Sequence, residues 1–117
     1  TDVRTFAHVT GGGLAENLAR VIPAGLVAEI ERETWTPAPV FALIAQRGRV
    51  AREEMERPFN MGVGMVAVVA PEDTERAQAV LTARHVDNWV LGSIKRSAEP
   101  KNPDLPRVAL SGEHPRF

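Results

Sequence analysis

The stretch AHVTGGGLAENLARVIP, residues 7–23, decides how this chain is interpreted, because three consecutive glycines separate a strand-like segment from a helix-like one. Before the glycines, Val3–Thr10 mixes β-branched and aromatic residues and predicts a strand. After them, Leu14 and Leu18 lie one turn apart, which predicts a short amphipathic helix from Gly13 to Arg20. Glycines at such a junction indicate either a sharp turn of the backbone or the close approach of another group.

The junction is also a candidate anion site, because the first amides of a helix lack partners and the helix dipole favours negative charge. Glycines would let a phosphate reach those amides, Thr10 adds a hydroxyl donor, and Asn17 and Arg20 follow one and two turns later. A tight turn that needs positive φ is the alternative, and the pattern alone does not decide between the two. The stretch is not a Walker loop, because no Gly-Lys-Ser/Thr follows.

Strands and helices alternate along the rest of the chain. Met61–Ala70 is apolar on both faces, which is typical of a central strand covered on both sides. A helix is predicted from Thr36 and Pro37 to Gly48, which is placed to end it in a left-handed conformation. Further strands are predicted at Leu26–Glu31, Asn88–Lys95 and Arg107–Leu110, and further helices at Val50–Arg57 and Pro71–His85. The alternation predicts an α/β (α+β) fold, with a mixed β-sheet packed against about four helices.

Composition limits the possible partners. The chain has 117 residues, enough for one domain and too few for two. Its net charge of −1 provides no basic field for nucleic acid or anionic lipid. Its longest apolar run, about ten residues, falls short of the roughly 20 that a membrane span needs. Cysteine is absent, which fits a reducing compartment. We therefore expect a cytoplasmic protein with neither nucleic-acid nor membrane partners.

The stretch FNMGVGM, residues 59–65, is a second candidate for chemistry. Gly62 and Gly64 superficially match a dinucleotide-binding fingerprint, but that motif must open a helix, and here the sequence continues as a strand. Glycine within a strand indicates a bulge or the close approach of another group. Close packing of a helix on the sheet is the favoured interpretation. The side chain of Asn60 could hold a turn or contact a polar substrate.

The three histidines, His8, His85 and His114, show no metal-ligand spacing, so no metal site is predicted. His8 precedes the glycines on the same strand face as Thr10, which makes it a candidate catalytic residue. A buried, hydrogen-bonded structural role is the favoured alternative for His8. We expect His85 to interact with a helix dipole and His114 to be solvated in a proline-flanked tail.

The carboxylates lie mostly in charged helical stretches, which predicts solvated faces. Glu16 follows the glycines and would repel a phosphate unless its side chain points away. The two tryptophans are expected in the core, and no alternation of aromatic and basic residues indicates nucleic-acid binding. The residues concerned are Glu53, Glu54, Glu56, Glu72, Asp73 and Glu75 for the helical carboxylates, and Trp35 and Trp89 for the core.

At these motifs the chain resembles the phosphoribosylformylglycinamidine cyclo-ligase family, also called aminoimidazole ribonucleotide synthetase. The shared features occur in order: the His-x-Thr-Gly-Gly-Gly loop, the Asn and Arg of the helix, the Trp before the proline-rich helix start, Phe-Asn-x-Gly-Val-Gly-Met, and Trp-x-x-Gly-x-Ile. The resemblance covers nearly the whole chain. It implies the C-terminal-domain fold of this superfamily, truncated at its N-terminal side, with residues 1–117 as a single partial domain.

The resemblance implies an enzyme of de novo purine biosynthesis. ATP activates the formyl oxygen of formylglycinamidine ribonucleotide, an amidine nitrogen closes the imidazole ring, and aminoimidazole ribonucleotide, ADP and phosphate result. The family holds ATP and Mg²⁺ mainly in an N-terminal domain that this sequence does not include. The family's Ser-Gly-x-His-Ser-Asn-Gly segment is also not included. We therefore expect no cofactor on this part of the enzyme, and no activity from it alone.

By resemblance, the expected partners are formylglycinamidine ribonucleotide, the N-terminal domain and further copies in a homo-oligomer. The start without Met suggests a piece of a longer protein, whose uncovered apolar surface would favour self-association. Alternatives are a sister ATP-using enzyme (formylglycinamidine synthase, thiamine-monophosphate kinase or selenophosphate synthetase) or a non-catalytic oligomerisation or regulatory module. The candidate substrate- or phosphate-binding residues are Thr10, Gly11, Gly12, Gly13, Asn17, Asn60, Gly62 and Gly64, with His8 as the catalytic candidate.

Overall fold

The computed structural model describes residues 3–99 and 105–117, and in them the expected mixed α/β fold is confirmed. Strands and helices alternate. One short 3₁₀ helix precedes the loop that leads to α2, and another leads directly into α4. The elements are β1 (Val3–His8), α1 (Gly13–Ala19), β2 (Leu26–Glu31), a 3₁₀ helix (Arg32–Thr34), α2 (Pro39–Gly48), α3 (Arg52–Met55), β3 (Met65–Val69), a 3₁₀ helix (Pro71–Asp73), α4 (Thr74–Ala83), β4 (Gly92–Arg96) and β5 (Val108–Ser111). None of the helices in these residues is long and apolar enough to cross a membrane.

The five strands of the described residues form two sheets. β1 pairs with β3 in an antiparallel two-stranded sheet. β2 lies at the centre of a mixed three-stranded sheet, antiparallel to β4 and parallel to β5. The prediction of a central strand at residues 61–70 is therefore wrong: β3 begins only at Met65, whose side chain is 60% exposed. Residues 61–64 form a turn instead, because Met61 and Gly62 adopt positive φ values that an extended strand does not have.

The core connects the two sheets through α1. Leu14 and Leu18, one helical turn apart as predicted, are both buried. They belong to one apolar cluster with Ala7 of β1 and Ile30 of β2. This packing fixes the direction in which the chain leaves β1, and so it positions the loop that carries the three glycines.

Two prolines explain why α2 begins later than the sequence pattern predicts. A residue that precedes proline is restricted to extended conformations. Thr36 and Ala38 both precede prolines, and Ala38 is the N-cap with φ −56° and ψ 147°. Pro39 therefore becomes the first helical residue. The helix runs through Gly48, and the left-handed residue beyond it is Arg49, with φ 54°.

The fourth strand begins at Gly92 and not at Asn88, whose side chain is engaged at the end of α4. Its amide donates to the Thr82 hydroxyl (3.1 Å) and to the Val86 carbonyl (2.9 Å). The helix ends at Ala83, and His85 lies two residues beyond it in a left-handed conformation, with φ 61°.

Two expectations about aromatic residues are wrong. His114 is buried, because its Nδ1 donates to the Arg32 carbonyl (2.8 Å) and its ring stands edge-on against Trp35. Trp35 lies in the core as predicted, and its indole N–H donates to the Met61 carbonyl (3.0 Å). Trp89, in contrast, is 37% exposed and only flanks Trp35, with ring centroids 6.0 Å apart.

Candidate functional site

Two glycine-containing segments meet at one end of the β1–β3 sheet. We call Thr10–Gly13 the glycine loop and Asn60–Gly64 the second turn. The amide of Val9 donates to the carbonyl of Gly64 (3.0 Å), and His8 pairs with Met65 in the strand register. The sheet therefore brings together two motifs that lie about 50 residues apart in the sequence, and every predicted site residue lies in them or beside them.

The three glycines of the glycine loop differ in backbone conformation and in surroundings. Gly12 and Gly13 adopt φ values of 101° and 81°, which residues with side chains rarely adopt. A Cβ atom on Gly13 would also lie 1.9 Å from the carbonyl oxygen of Glu56. Gly11 has neither a positive φ nor a neighbour, since nothing lies within 4 Å of the position that its Cβ would occupy. The fold requires glycine at positions 12 and 13, but not at position 11.

Asn17 of α1 holds the glycine loop with its side chain. Its Nδ2 donates to the carbonyls of Gly13 (2.6 Å) and Thr10 (3.2 Å), and its Oδ1 accepts from the Thr10 hydroxyl (3.1 Å). The residue is buried, at 6% exposure. The Asn17 amide hydrogens and the Thr10 hydroxyl hydrogen are therefore already engaged within the protein, whereas Gly11 is exposed.

The second turn is organised by Asn60. Its Oδ1 accepts from the Gly62 amide (2.8 Å), and its carbonyl accepts from the Val63 amide (3.0 Å). Gly62 needs glycine for its φ of 98°. Gly64 resembles Gly11, because it has no positive φ and nothing within 4 Å of its Cβ position. Asn60 thus holds a turn, the first of the two roles considered for it.

His8 lies at the end of β1 with its side chain exposed. Within the described residues its side chain makes no hydrogen bond or ion pair, so the buried structural role favoured from the sequence is wrong. It faces solvent beside both glycine segments, where its imidazole is accessible. Residues 3–99 and 105–117 contain no group of three or more His, Cys, Asp or Glu side chains able to hold a metal ion.

Glu16 places negative charge against the glycine loop. A Cβ atom on Gly12 would lie 2.4 Å from Oε2 of Glu16, so this carboxylate covers Gly12. Arg20 pairs with the same carboxylate at 2.8 Å, and both side chains are more than half exposed. Arg20 therefore faces Glu16, and a phosphate could approach Gly12 only if the Glu16 side chain rotates away.

A buried ion pair behind the glycine loop was missed from the sequence. Arg32 Nε and Nη2 donate to the two carboxylate oxygens of Glu56, each at 2.9 Å, and Arg32 Nη1 donates to the Gly112 carbonyl (3.2 Å). The side chains of Arg32 and Glu56 are only 9% and 13% exposed, so the expectation of a solvated Glu56 is wrong. Since the Glu56 carbonyl lies against Gly13, the ion pair of Arg32 and Glu56 supports the glycine loop. No spacing in the sequence indicates it, because 24 residues separate the partners.

The shifted pKa values belong to other ion pairs. A hydrogen bond to Glu113 raises the pKa of Arg52 on α3. The pKa of Glu53 is lowered by a hydrogen bond from its own backbone amide and, to a smaller extent, by one from Arg52. A hydrogen bond to Glu29 raises the pKa of Lys95 on β4. None of these groups belongs to the glycine loop or the second turn.

Comparison with known proteins shows that this chain is similar to members of one family. Residues 1–101 match the family described as AIR synthase related protein, C-terminal domain. A Streptomyces fradiae protein, provisionally named a phosphoribosylformylglycinamidine cyclo-ligase, is 54% identical over 114 residues, which are 97% of this chain and 62% of that protein. The phosphoribosylformylglycinamidine cyclo-ligase of Anaeromyxobacter dehalogenans is 48% identical over 93 residues, 80% of this chain and 27% of the relative. That of Cupriavidus pinatubonensis is 46% identical over 97 residues, 83% and 28% respectively. The chain spans less than two thirds of each of these relatives.

Proposed function

Because this chain belongs to the family of AIR synthase related proteins, as part of their C-terminal domain, we propose that it forms the substrate-facing wall of an ATP-dependent cyclo-ligase. The full-length enzyme would close the imidazole ring of formylglycinamidine ribonucleotide in purine biosynthesis. It would release aminoimidazole ribonucleotide, ADP and phosphate. The names of the relatives support this proposal over the sister enzymes and over a non-catalytic module.

The observation that carries the proposal concerns two glycines that the fold does not require, Gly11 in the glycine loop and Gly64 in the second turn. The fold itself accounts for Gly12, Gly13 and Gly62 through positive φ. Gly11 and Gly64 face open space, and the backbone of the second is bonded to Val9 at the end of β1. A glycine that the fold does not require lets a ligand approach the backbone closely. The amides of Gly11 and Gly12 make no hydrogen bond within the described residues, so they remain able to bind an anionic oxygen.

Each residue of the edge has a distinct role in this proposal. The amide of Gly11 binds the phosphate of the ribonucleotide, and that of Gly12 joins it after the Glu16 side chain rotates away. The Thr10 hydroxyl oxygen accepts a hydrogen bond from the ligand. Gly62 and Gly64 allow the substrate to lie close to the second turn. His8 is exposed at the same edge, where its imidazole can donate a hydrogen bond to the ligand or transfer a proton at a ring nitrogen.

ATP supplies the phosphoryl group that turns the formyl oxygen into a leaving group. The described residues contain no Walker loop and no group of three or more His, Cys, Asp or Glu side chains able to hold a metal ion. We propose that both bind to other parts of the full-length protein, and no step on this chain depends on them. This part of the enzyme contributes orientation, because holding two anionic reactants together replaces a bimolecular encounter.

An amide NMR titration of this chain tests the proposal, with formylglycinamidine ribonucleotide in one series and ATP in another. We expect the ribonucleotide to shift Gly11, Gly12 and Gly64, and ATP to leave them unmoved. Gly92, packed against the Glu29 carbonyl within the β2–β4 pair, is the internal control, because it belongs to the other sheet and to neither glycine segment. Shifts of the loop glycines by ATP alone would favour a nucleotide site, and no shift with either ligand would contradict the proposal.

A further inference from the structure

Asn17 has an unusual position, because it is a buried amide side chain in the middle of a helix. Asparagine is a poor helix former, since its side chain competes for backbone hydrogen bonds. A buried amide without partners would also destabilise the fold. In this protein both disadvantages are offset by the three hydrogen bonds to Thr10 and Gly13. These bonds reach only the glycine loop, so the residue serves that loop.

We propose that Asn17 is a positioning residue that sets the conformation of the glycine loop and does not contact the ligand. Both partners of its Nδ2 are carbonyl oxygens, which only accept hydrogen bonds, so the orientation of the amide is determined. Its two N–H groups are thereby occupied. The candidate binding role of Asn17 is replaced by an indirect one, and its effect on affinity rests on the proposed function.

The carbonyl groups explain how Asn17 would favour an anion. The lone pairs of Thr10 and Gly13 carbonyls would repel a phosphate if they faced the loop opening. Asn17 holds both oxygens toward its own Nδ2, at 3.2 and 2.6 Å. The Thr10 hydroxyl is turned toward Asn17 as well, at 3.1 Å from Oδ1. The loop therefore presents to a ligand the free amide of Gly11, together with that of Gly12 once the Glu16 carboxylate rotates away, and no carbonyl that is bonded to Asn17.

The glycine loop needs such a constraint because glycine is the most flexible residue. Gly12 and Gly13 both adopt positive φ, and nothing packs around Gly11. Without Asn17 the loop would populate several conformations. The apparent affinity for a ligand falls in proportion to the population of the competent conformation. Asn17 thus acts through the population of the loop and not through a contact with the ligand.

Four substitutions in this chain separate positioning from general destabilisation. Asn17→Asp keeps the shape of the side chain but removes both donations. Thr10→Val removes only the hydroxyl bond to Asn17, and Thr10→Ser retains it. Leu18→Val is the matched control, because Leu18 is the neighbouring buried residue and makes none of these hydrogen bonds. Each variant is compared with the parent chain by amide hydrogen exchange, amide chemical shifts and formylglycinamidine ribonucleotide titration.

In Asn17→Asp we expect exchange of the Gly13 amide, which donates to the Thr10 carbonyl, to accelerate about tenfold relative to amides of β2. Affinity for the ribonucleotide should fall about tenfold or more in Asn17→Asp, where the added negative charge contributes, so hydrogen exchange is the readout that decides positioning. The Gly13 amide should exchange faster in Thr10→Val, by a smaller factor than in Asn17→Asp, and at nearly the parent rate in Thr10→Ser. Unchanged loop shifts and exchange in both Asn17→Asp and Thr10→Val would overturn the inference. Equal loop effects in Leu18→Val would also overturn it. If the parent chain binds no ribonucleotide, the proposed function fails, while the exchange data still decide the positioning role.

Discussion

The same substitution at three consecutive residues separates glycines that the fold requires from a glycine that it does not. Gly11→Ala, Gly12→Ala and Gly13→Ala each add one methyl group to the glycine loop. The surroundings of the three added Cβ atoms differ: open space at Gly11, the flexible carboxylate end of Glu16 at Gly12, and the backbone carbonyl of Glu56 at Gly13. The free energy of unfolding should therefore change by a different amount, and even a different sign, at each position.

The magnitudes follow from the backbone and the contacts. At Gly11 φ is not positive and the Cβ position is open, so restricting the unfolded chain should stabilise the protein by about 0.4–1 kcal/mol. At Gly12, φ of 101° should cost alanine about 1–2 kcal/mol, while the Glu16 side chain can move aside. At Gly13 the same conformational cost is joined by a contact of 1.9 Å with backbone, which adds about 1–3 kcal/mol.

Equilibrium urea unfolding, followed by tryptophan fluorescence, measures these differences in one set of conditions. Trp35 is buried beside the Met61 carbonyl and so reports on the folded core. Ribonucleotide affinity is measured on the same three proteins, and we expect Gly11→Ala to be folded yet weakened in binding by about tenfold or more. The reasoning is refuted if the three variants unfold at the same urea concentration, or if Gly11→Ala is as destabilised as Gly13→Ala.

Three further predictions follow from the charges and the surface. Glu16→Gln removes the carboxylate that covers Gly12 and should raise ribonucleotide affinity several-fold in calorimetry, whereas Glu75→Gln, on α4, should leave it unchanged. Arg32→Met breaks the buried pair with Glu56 and should lower the free energy of unfolding by about 3 kcal/mol. Arg20→Met, which breaks the exposed pair with Glu16, should lower it by only about 0.3–0.5 kcal/mol. Equal effects of the two substitutions in urea unfolding would contradict the assigned burial. Phe6, 57% exposed on the outer face of β1, should promote the self-association expected from the sequence; sedimentation should show less association for Phe6→Ser, and a parent chain that is monomeric at high concentration would contradict this.

The elements that could be predicted from the sequence are those whose cause is local. Leu26–Glu31 forms a strand with the predicted bounds, and the spacing of Leu14 and Leu18 correctly indicated the buried face of α1. The order of the glycine motifs was enough to indicate the family, because each motif is a contiguous run of residues. The start of α2 was missed although its cause is also local, since Pro37 and Pro39, with one residue between them, delay the helix.

The surroundings of the charged and polar residues could not be predicted. Glu56 lies in a stretch of charges that indicates a solvated face, yet Arg32, 24 residues earlier, holds it in the interior. His114 lies near the end of the chain and is buried because the carbonyl of Arg32, 82 residues away, accepts its hydrogen bond. Such partners are set by how elements pack, and no spacing in the sequence encodes them.

The glycine loop shows the same division within three adjacent residues. The sequence by itself determined that the chain turns between β1 and α1, because glycine permits conformations that other residues avoid. It could not assign separate reasons to Gly11, Gly12 and Gly13, which are chemically identical. Only the tertiary structure decided this, by placing the Glu56 carbonyl against Gly13 and by leaving Gly11 in open space beside the second turn. The physical reason is that a glycine's role depends on what occupies the volume of its absent side chain, and distant parts of the chain occupy that volume.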